Sequence, residues 1–262
     1  MDLGLTGKTA LVTAASRGLG KAAALALAAE GARVVFSSHS EKIHSAAEEI
    51  QSHTGQLPLA IQADLTQPED IRALVQQTIE SCGHIDILII NAGGPPPGNF
   101  LNLTPDDWRS AIDLTLMSTV HLCYEVIPHM KKAGSGSIVT SQSFTVKQPL
   151  DNLVLSNALR MAVIGLMKSL ANELGPHGIR VNSINPAWTR TERVTQLLQH
   201  RAGVRNTTIE EETAQITADI PLGRMGTPEE FGRTIAWLVS PAASFIHGHA
   251  LMFDGGEVRA AL

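Results

Sequence analysis

The run from Thr13 to Gly20 reads Thr-Ala-Ala-Ser-Arg-Gly-Leu-Gly, directly after the apolar stretch Thr9-Ala10-Leu11-Val12 and directly before a long alanine- and leucine-rich segment. A strand, a glycine turn and a helix start in that order confine the chain to a few α/β architectures. They also build a binding surface. A helix N-terminus presents unpaired N–H groups and the positive end of its dipole, and glycines let a pyrophosphate approach the backbone closely. The expected guest is a dinucleotide.

Further apolar runs at Arg33–Ser37, Leu59–Ala63, Ile85–Ile90, Ser137–Ser141, Arg180–Ile184 and Ala250–Phe253 join Thr9–Thr13 as predicted strands, separated by helix-period segments. Alternating strands and helices imply right-handed crossovers. The expected fold is α/β, a Rossmann-type doubly wound, mostly parallel sheet of about seven strands in a single domain over residues 1–262. In such sheets ligands bind outside the carboxyl ends of the strands. At 44% hydrophobic and 17% charged residues the chain can bury a large core without a second domain. A net charge of −5 with scattered basic residues argues against a nucleic-acid partner and for small molecules. Cys82 and Cys123 are too few for a disulfide framework, and no signal-peptide pattern or apolar run of membrane-spanning length is read. A cytoplasmic protein with no membrane partner and no metal site is expected. Pro95-Pro96-Pro97 makes a stiff loop after a strand.

Ile85-Asp86-Ile87-Leu88-Ile89-Ile90 runs into Asn91-Ala92-Gly93-Gly94, and the C-terminal part carries Pro221-Leu222-Gly223-Arg224-Met225-Gly226-Thr227-Pro228-Glu229-Glu230 and Phe253-Asp254-Gly255-Gly256. With the glycine turn, these resemble the short-chain dehydrogenase/reductase family, nearest its 3-oxoacyl-carrier-protein reductase-like branch, from about Leu5 to Gly256. The resemblance implies nicotinamide dinucleotide binding by Ala14, Ser16, Arg17, Gly18, Leu19 and Gly20 in the turn and by Asp64 and Leu65 beside the adenine. It also implies contacts from Asn91, Ala92 and Gly93, then from Pro186 and Thr191 near the nicotinamide. Ala14 stands where the family usually has glycine, which a negative φ would accommodate with somewhat weaker binding. Asp64, read from its neighbours alone, is a turn former.

The end of the second strand bears on the choice of cofactor. A carboxylate there suits the ribose hydroxyls of NAD and repels a 2′-phosphate. Here Arg33-Val34-Val35-Phe36 runs into Ser37-Ser38-His39-Ser40 with no acid before Glu41, and Arg17, Ser38 and His39 can hold a phosphate. NADP(H) is favoured, with NAD(H) possible.

Family members carry a Ser after the fifth strand, a Tyr thirteen residues later and a Lys one helical turn beyond. Ser143 supplies the Ser, but the register fixed by Val163-Ile164-Gly165-Leu166-Met167-Lys168 puts Ser156 at the Tyr position and Arg160 at the Lys position. Thr115 replaces the helical Asn of the family's water relay, and Tyr124, the only tyrosine, lies in a helix and is expected to pack. Ser156 and Arg160, four apart, share a helix face. With a pKa above about 12, Arg160 is expected to grip ribose hydroxyls or stabilise an alkoxide rather than donate a proton. Lys147 is the candidate acid if it is desolvated near a guanidinium; otherwise it is an exposed loop residue.

General acid–base catalysis contributes roughly 10²–10⁴-fold, whereas positioning supplies about 7–11 kcal/mol, so a site without its tyrosine can be slow and still work. The expected function is NADP(H)-dependent interconversion of a carbonyl and a secondary alcohol, 3-oxoacyl reductase-like, through an atypical site. The alternative is a catalytically impaired nucleotide-binding protein with a sensing or scaffolding role. Residues 189–220 are expected to form a substrate lid, with Trp188 either walling the substrate or packing. The family's interfaces imply a homotetramer or homodimer built on the helices around 116–130 and 156–174.

Overall fold

The computed structural model describes residues 2–260. Its strands are β1 (Thr9–Val12), β2 (Arg33–Ser38), β3 (Leu59–Gln62), β4 (Ile87–Ile90), β5 (Gly136–Ser141), β6 (Ile179–Pro186) and β7 (Ala250–Phe253). Between them run α1 (Gly18–Ala29), α2 (Lys42–Thr54), α3 (Pro68–Cys82), α4 (Pro105–Ile112), α5 (Ser118–Ala133), α6 (Val154–Leu174), α7 (Glu192–Arg205), α8 (Ile209–Asp219) and α9 (Pro228–Val239). One seven-stranded sheet has the order β3-β2-β1-β4-β5-β6-β7, and every pairing is parallel, so the expected sheet is found without an antiparallel member.

Parallel strands covered on both faces read as continuous apolar runs. The central β1 and β4 are buried at every residue, whereas the edge strand β3 is mostly open. Val12, Phe36, Ile89 and Val139 point toward α1, α2 and α9, while Leu11, Val35, Leu88 and Ile138 join α3, α5 and α6 on the other face. Each face has its own core. A third, small cluster ties α7 to α8 through Leu198, Ile216 and Ile220, with Trp188 and Val194 against it.

One reading of the sequence needs correction. The stretch Val154–His177, α6 with its following turn, is long and apolar enough to cross a membrane by length and composition, with a mean hydropathy of 1.3. Its buried residues recur at helical spacing, Leu155 and Leu159 packing against Ala111 of α4 and Val163, Met167, Ala171 and Leu174 facing the sheet. That is the pattern of a core helix, which passes the same test.

Candidate active site

The chain leaves β1 in one direction toward β2 and β3, and from β4 builds outward in the other. The crevice at the carboxyl ends of β1 and β4 is therefore the switch point at which ligands bind in open α/β sheets. The glycine turn and Asn91–Gly94 both lie there.

Asn91 knits the two together. Its Nδ2 donates to the Ala14 carbonyl at 3.1 Å, and its backbone N–H and C=O both pair with the Thr13 hydroxyl. A Cβ on Gly20 would lie 2.5 Å from the Ala14 oxygen, so only glycine lets α1 start this close to β1. Gly18, at φ +57, opens the helix beside the Thr191 methyl. Ala14 itself has φ +48, not the negative φ expected from the sequence. The clamped carbonyl holds the residue there against a cost of about 1–2 kcal/mol. This cradle suits a pyrophosphate, which needs close backbone approach and free N–H groups at the start of α1.

Ser16 and Ser38 share a hydrogen bond of 3.0 Å between their hydroxyls, joining the turn to the end of β2, and Ser38 also accepts from the Ser40 N–H. His39 is exposed beside them. Arg17 does not stand free: its Nη1 pairs with Glu192 of α7 at 2.8 Å, with both side chains solvated. The Asp64 carboxylate accepts from the backbone N–H and hydroxyl of Thr66, the turn-forming role read from its neighbours, and Leu65 is buried. Leu19 packs against the core, as does Ala92, while Gly93 is exposed. Pro186 is the last residue of β6, paired with Phe253, and Thr191 caps α7 by accepting from the Val194 N–H.

At the end of β5 the Ser143 hydroxyl accepts from the Thr145 N–H, leaving its own hydrogen free to donate. Ser156 and Arg160 meet as their spacing predicts, Nε donating to Ser156 Oγ at 3.1 Å. Nη1 of Arg160 donates to the carbonyls of Gln142 at 3.1 Å and Ser141 at 3.4 Å, locking the guanidinium over the end of the sheet. Burial, with repulsion from Arg193 added, pushes Arg160 down to about 10, well below its ordinary range yet still protonated at neutral pH. Ser156 accepts from a cation, so its hydroxyl hydrogen is more acidic and aimed elsewhere. Two hydroxyl donors and one fixed cation can polarise a carbonyl.

Three candidates fall differently. Lys147 is exposed and makes no side-chain hydrogen bond among the described residues, so it lacks the burial on which its candidacy as an acid depended. Tyr124 does not pack: 75% of it is exposed on α5. Thr115 lies in a π-helical turn, Asp113–Met117, and its buried Oγ1 has no partner. Such turns gather at functional sites but leave no mark in hydrophobic periodicity. Gln142 and Arg193 were not found by sequence reasoning. Gln142 acts through its backbone carbonyl, and Arg193 reaches the site only because α7 crosses it.

A family model described as "Enoyl-(Acyl carrier protein) reductase" matches residues 13–257. The 7alpha-hydroxysteroid dehydrogenase of Escherichia coli (strain K12) is 33% identical over 259 residues, covering 98% of this chain and 97% of that protein. L-Sorbose reductase from Gluconobacter frateurii, solved with NADPH and L-sorbose, superposes with a TM-score of 0.94 at 29% identity, over 99% of this chain and 100% of that one. The 3-ketoacyl-(acyl-carrier-protein) reductase from Brucella melitensis, solved with NADH, gives 0.85 at 31% identity, over 97% and 99%. The chain belongs to the short-chain dehydrogenase/reductase family. It is an oxidoreductase of that family.

Proposed function

We propose that this protein interconverts a carbonyl and a secondary alcohol with NADP(H), NAD(H) being the weaker alternative, through a site in which Ser143, Ser156 and Arg160 replace the family's Ser, Tyr and Lys. The observation that carries this reading is the Arg160 guanidinium, anchored by Ser156 Oγ and the Ser141 and Gln142 carbonyls, with its remaining nitrogen reaching toward Gly94 beyond β4. A bound reduced nicotinamide supplies a hydride. Ser143 orients the carbonyl oxygen, Arg160 holds the ribose and the developing oxyanion, and Ser156 passes a proton in from solvent. The glycine turn with Asn91–Gly93 holds the diphosphate, Asp64 and Leu65 flank the adenine, and Pro186 and Thr191 lie under the nicotinamide. Ser38, His39 and a freed Arg17 take the 2′-phosphate, where no carboxylate stands to repel it. Lys147 has no part in the chemistry.

The α7–α8 pair, within residues 189–220, serves as the lid. The protein works as a homotetramer or homodimer on small-molecule substrates, and the free thiols of Cys82 and Cys123 fit a cytoplasmic setting.

Calorimetry should find NADPH bound more tightly than NADH, with Arg17→Ala erasing much of the difference. Equal affinities would refute the preference. In a screen of ketones and alcohols, Ser143→Ala and Arg160→Ala should each lower turnover by more than about tenfold. Binding of nucleotide with no turnover on any of them would favour the sensing role.

A further inference from the structure

We propose that the ion pair between Arg17 and Glu192 is a latch on the α7–α8 lid that a 2′-phosphate opens, so that NADP(H) frees α7 and NAD(H) leaves it fastened. The inference rests on the reading of Arg17 as a 2′-phosphate ligand and adds the regulation of that site.

The glycine turn and the start of α7 meet directly. A Cβ on Gly18 would lie 3.8 Å from the Thr191 methyl, and the neighbouring residues Arg17 and Glu192 bridge the same gap, Nη1 to Oε2 at 2.8 Å. The carboxylate is offered from a fixed base. Just before it the Ala187 N–H donates to the Phe253 carbonyl and the Arg190 N–H to the Gly226 carbonyl, both at 3.0 Å, and the Thr191 hydroxyl caps the helix. Arg17, at the extended N-cap of α1, is the long and movable partner. It follows Ser16, whose hydroxyl is bonded to that of Ser38 at the end of β2, so its backbone sits beside the residues assigned to the 2′-phosphate.

No second bond of this kind ties the lid down. Side chains of α7 bond within the helix and its cap and to Glu212 and Gln215 of α8, but among the described residues the Glu192 pair is the only hydrogen bond or ion pair that they send beyond the α7–α8 region. Apart from it, Arg201 rests over the Trp188 ring and the helix packs by apolar contact. Neither Arg17 nor Glu192 has another polar partner for its side chain among the described residues.

A guanidinium shared between a carboxylate and a phosphate would bring two anions together, and the phosphate, with up to two charges and three acceptor oxygens, holds it more strongly. Ser38 and His39 add donors on the phosphate side. The paired side chains are 59% and 67% exposed, so parting them costs at most about fivefold in an equilibrium. Once released, Glu192 stays well placed in the first turn of α7, where the helix dipole favours a carboxylate. The ribose of NAD(H) offers only neutral hydroxyls and leaves the pair closed.

Hydrogen exchange of the α7 amides reads the latch. The probes are adenosine 2′,5′-bisphosphate and adenosine 5′-monophosphate, which carry and lack the phosphate and have no nicotinamide half to reach Thr191. The bisphosphate should speed exchange in α7 by about two- to fivefold and the monophosphate should not. Without nucleotide, Arg17→Ala should show the same faster exchange. In calorimetry Glu192→Gln should bind the bisphosphate about two- to fivefold more tightly, with the monophosphate unchanged, because no latch has to be opened; in the Arg17→Ala background that gain should vanish. Both side chains are exposed, so the variants should fold. A gain that persists without Arg17 would reduce Glu192 to a repelling charge and overturn the latch, as would α7 exchange indifferent to Arg17→Ala. Bisphosphate binding indifferent to Arg17→Ala would overturn the proposal through its premise, the 2′-phosphate reading, so the two failures can be told apart.

Discussion

Ala14 holds a left-handed backbone that its methyl group resists, and Asn91 keeps it there by gripping its carbonyl. Glycine would adopt φ +48 freely but lose more entropy on folding, about 0.5–1 kcal/mol. Relief of about 1–2 kcal/mol outweighs that loss. Ala14→Gly should therefore stabilise the protein by up to about 1 kcal/mol and tighten nucleotide binding, measured as a rise in melting temperature and by calorimetry. Glu257 poses the opposite problem. Burial, aided by Asp254 and Asp219 and opposed by the Trp188 indole N–H, raises its carboxyl to about 7, and its Oε2 has no partner among the described residues. A carboxyl bound more tightly to its proton in the folded state than in the unfolded one contributes stability that is complete below about pH 4.5 and lost as pH rises through about 7. The thermal midpoint should fall across that window, and Glu257→Gln should flatten the slope. Among single residues, the contact of Ser156 with Arg160 was legible because the two lie four apart on one helix face. Arg193 was not, because no local pattern says which side chain of a crossing helix reaches the sheet.

The seven strands fall within two residues of their predicted bounds, the mostly open edge strand β3 included, because each is a short apolar run between turn signals. Residues 189–220 gave only a polar, variable composition, and the structure resolves them into α7 and α8. Glu212 braces that pair. It is 1% exposed, accepts from Thr207 at 2.8 Å, and pairs with Arg201 at 3.1 Å and Arg205 at 3.4 Å. Removing it strips two half-solvated arginines of their counter-charge. Glu212→Ala should destabilise this region by about 1–3 kcal/mol and speed hydrogen exchange in α7 and α8 while leaving the sheet protected. The π-helical turn at Asp113–Met117 was invisible beforehand, since one extra residue per turn does not disturb the apolar period enough to register.

At the level of the whole molecule, α5 and α6 leave large apolar groups in solvent: Tyr124 is 75% and Met161 48% exposed. Apolar surface on adjacent helices is what closed, two-fold assemblies cover. Light scattering at micromolar concentration should return a multiple of the 27.9 kDa chain mass, and a monomer would refute the assembly. Trp188 connects regions that otherwise have little in common. Its ring lies under the Arg201 guanidinium at 5.6 Å and its N–H is bonded to Glu257 at 3.1 Å. It walls both the cavity beside α7 and a second one, of about 470 Å³, bordered by α9 and β7. One indole is therefore a party wall between two rooms. A guest that turns the ring on one side reshapes the space on the other, and the emission of that same ring announces the change.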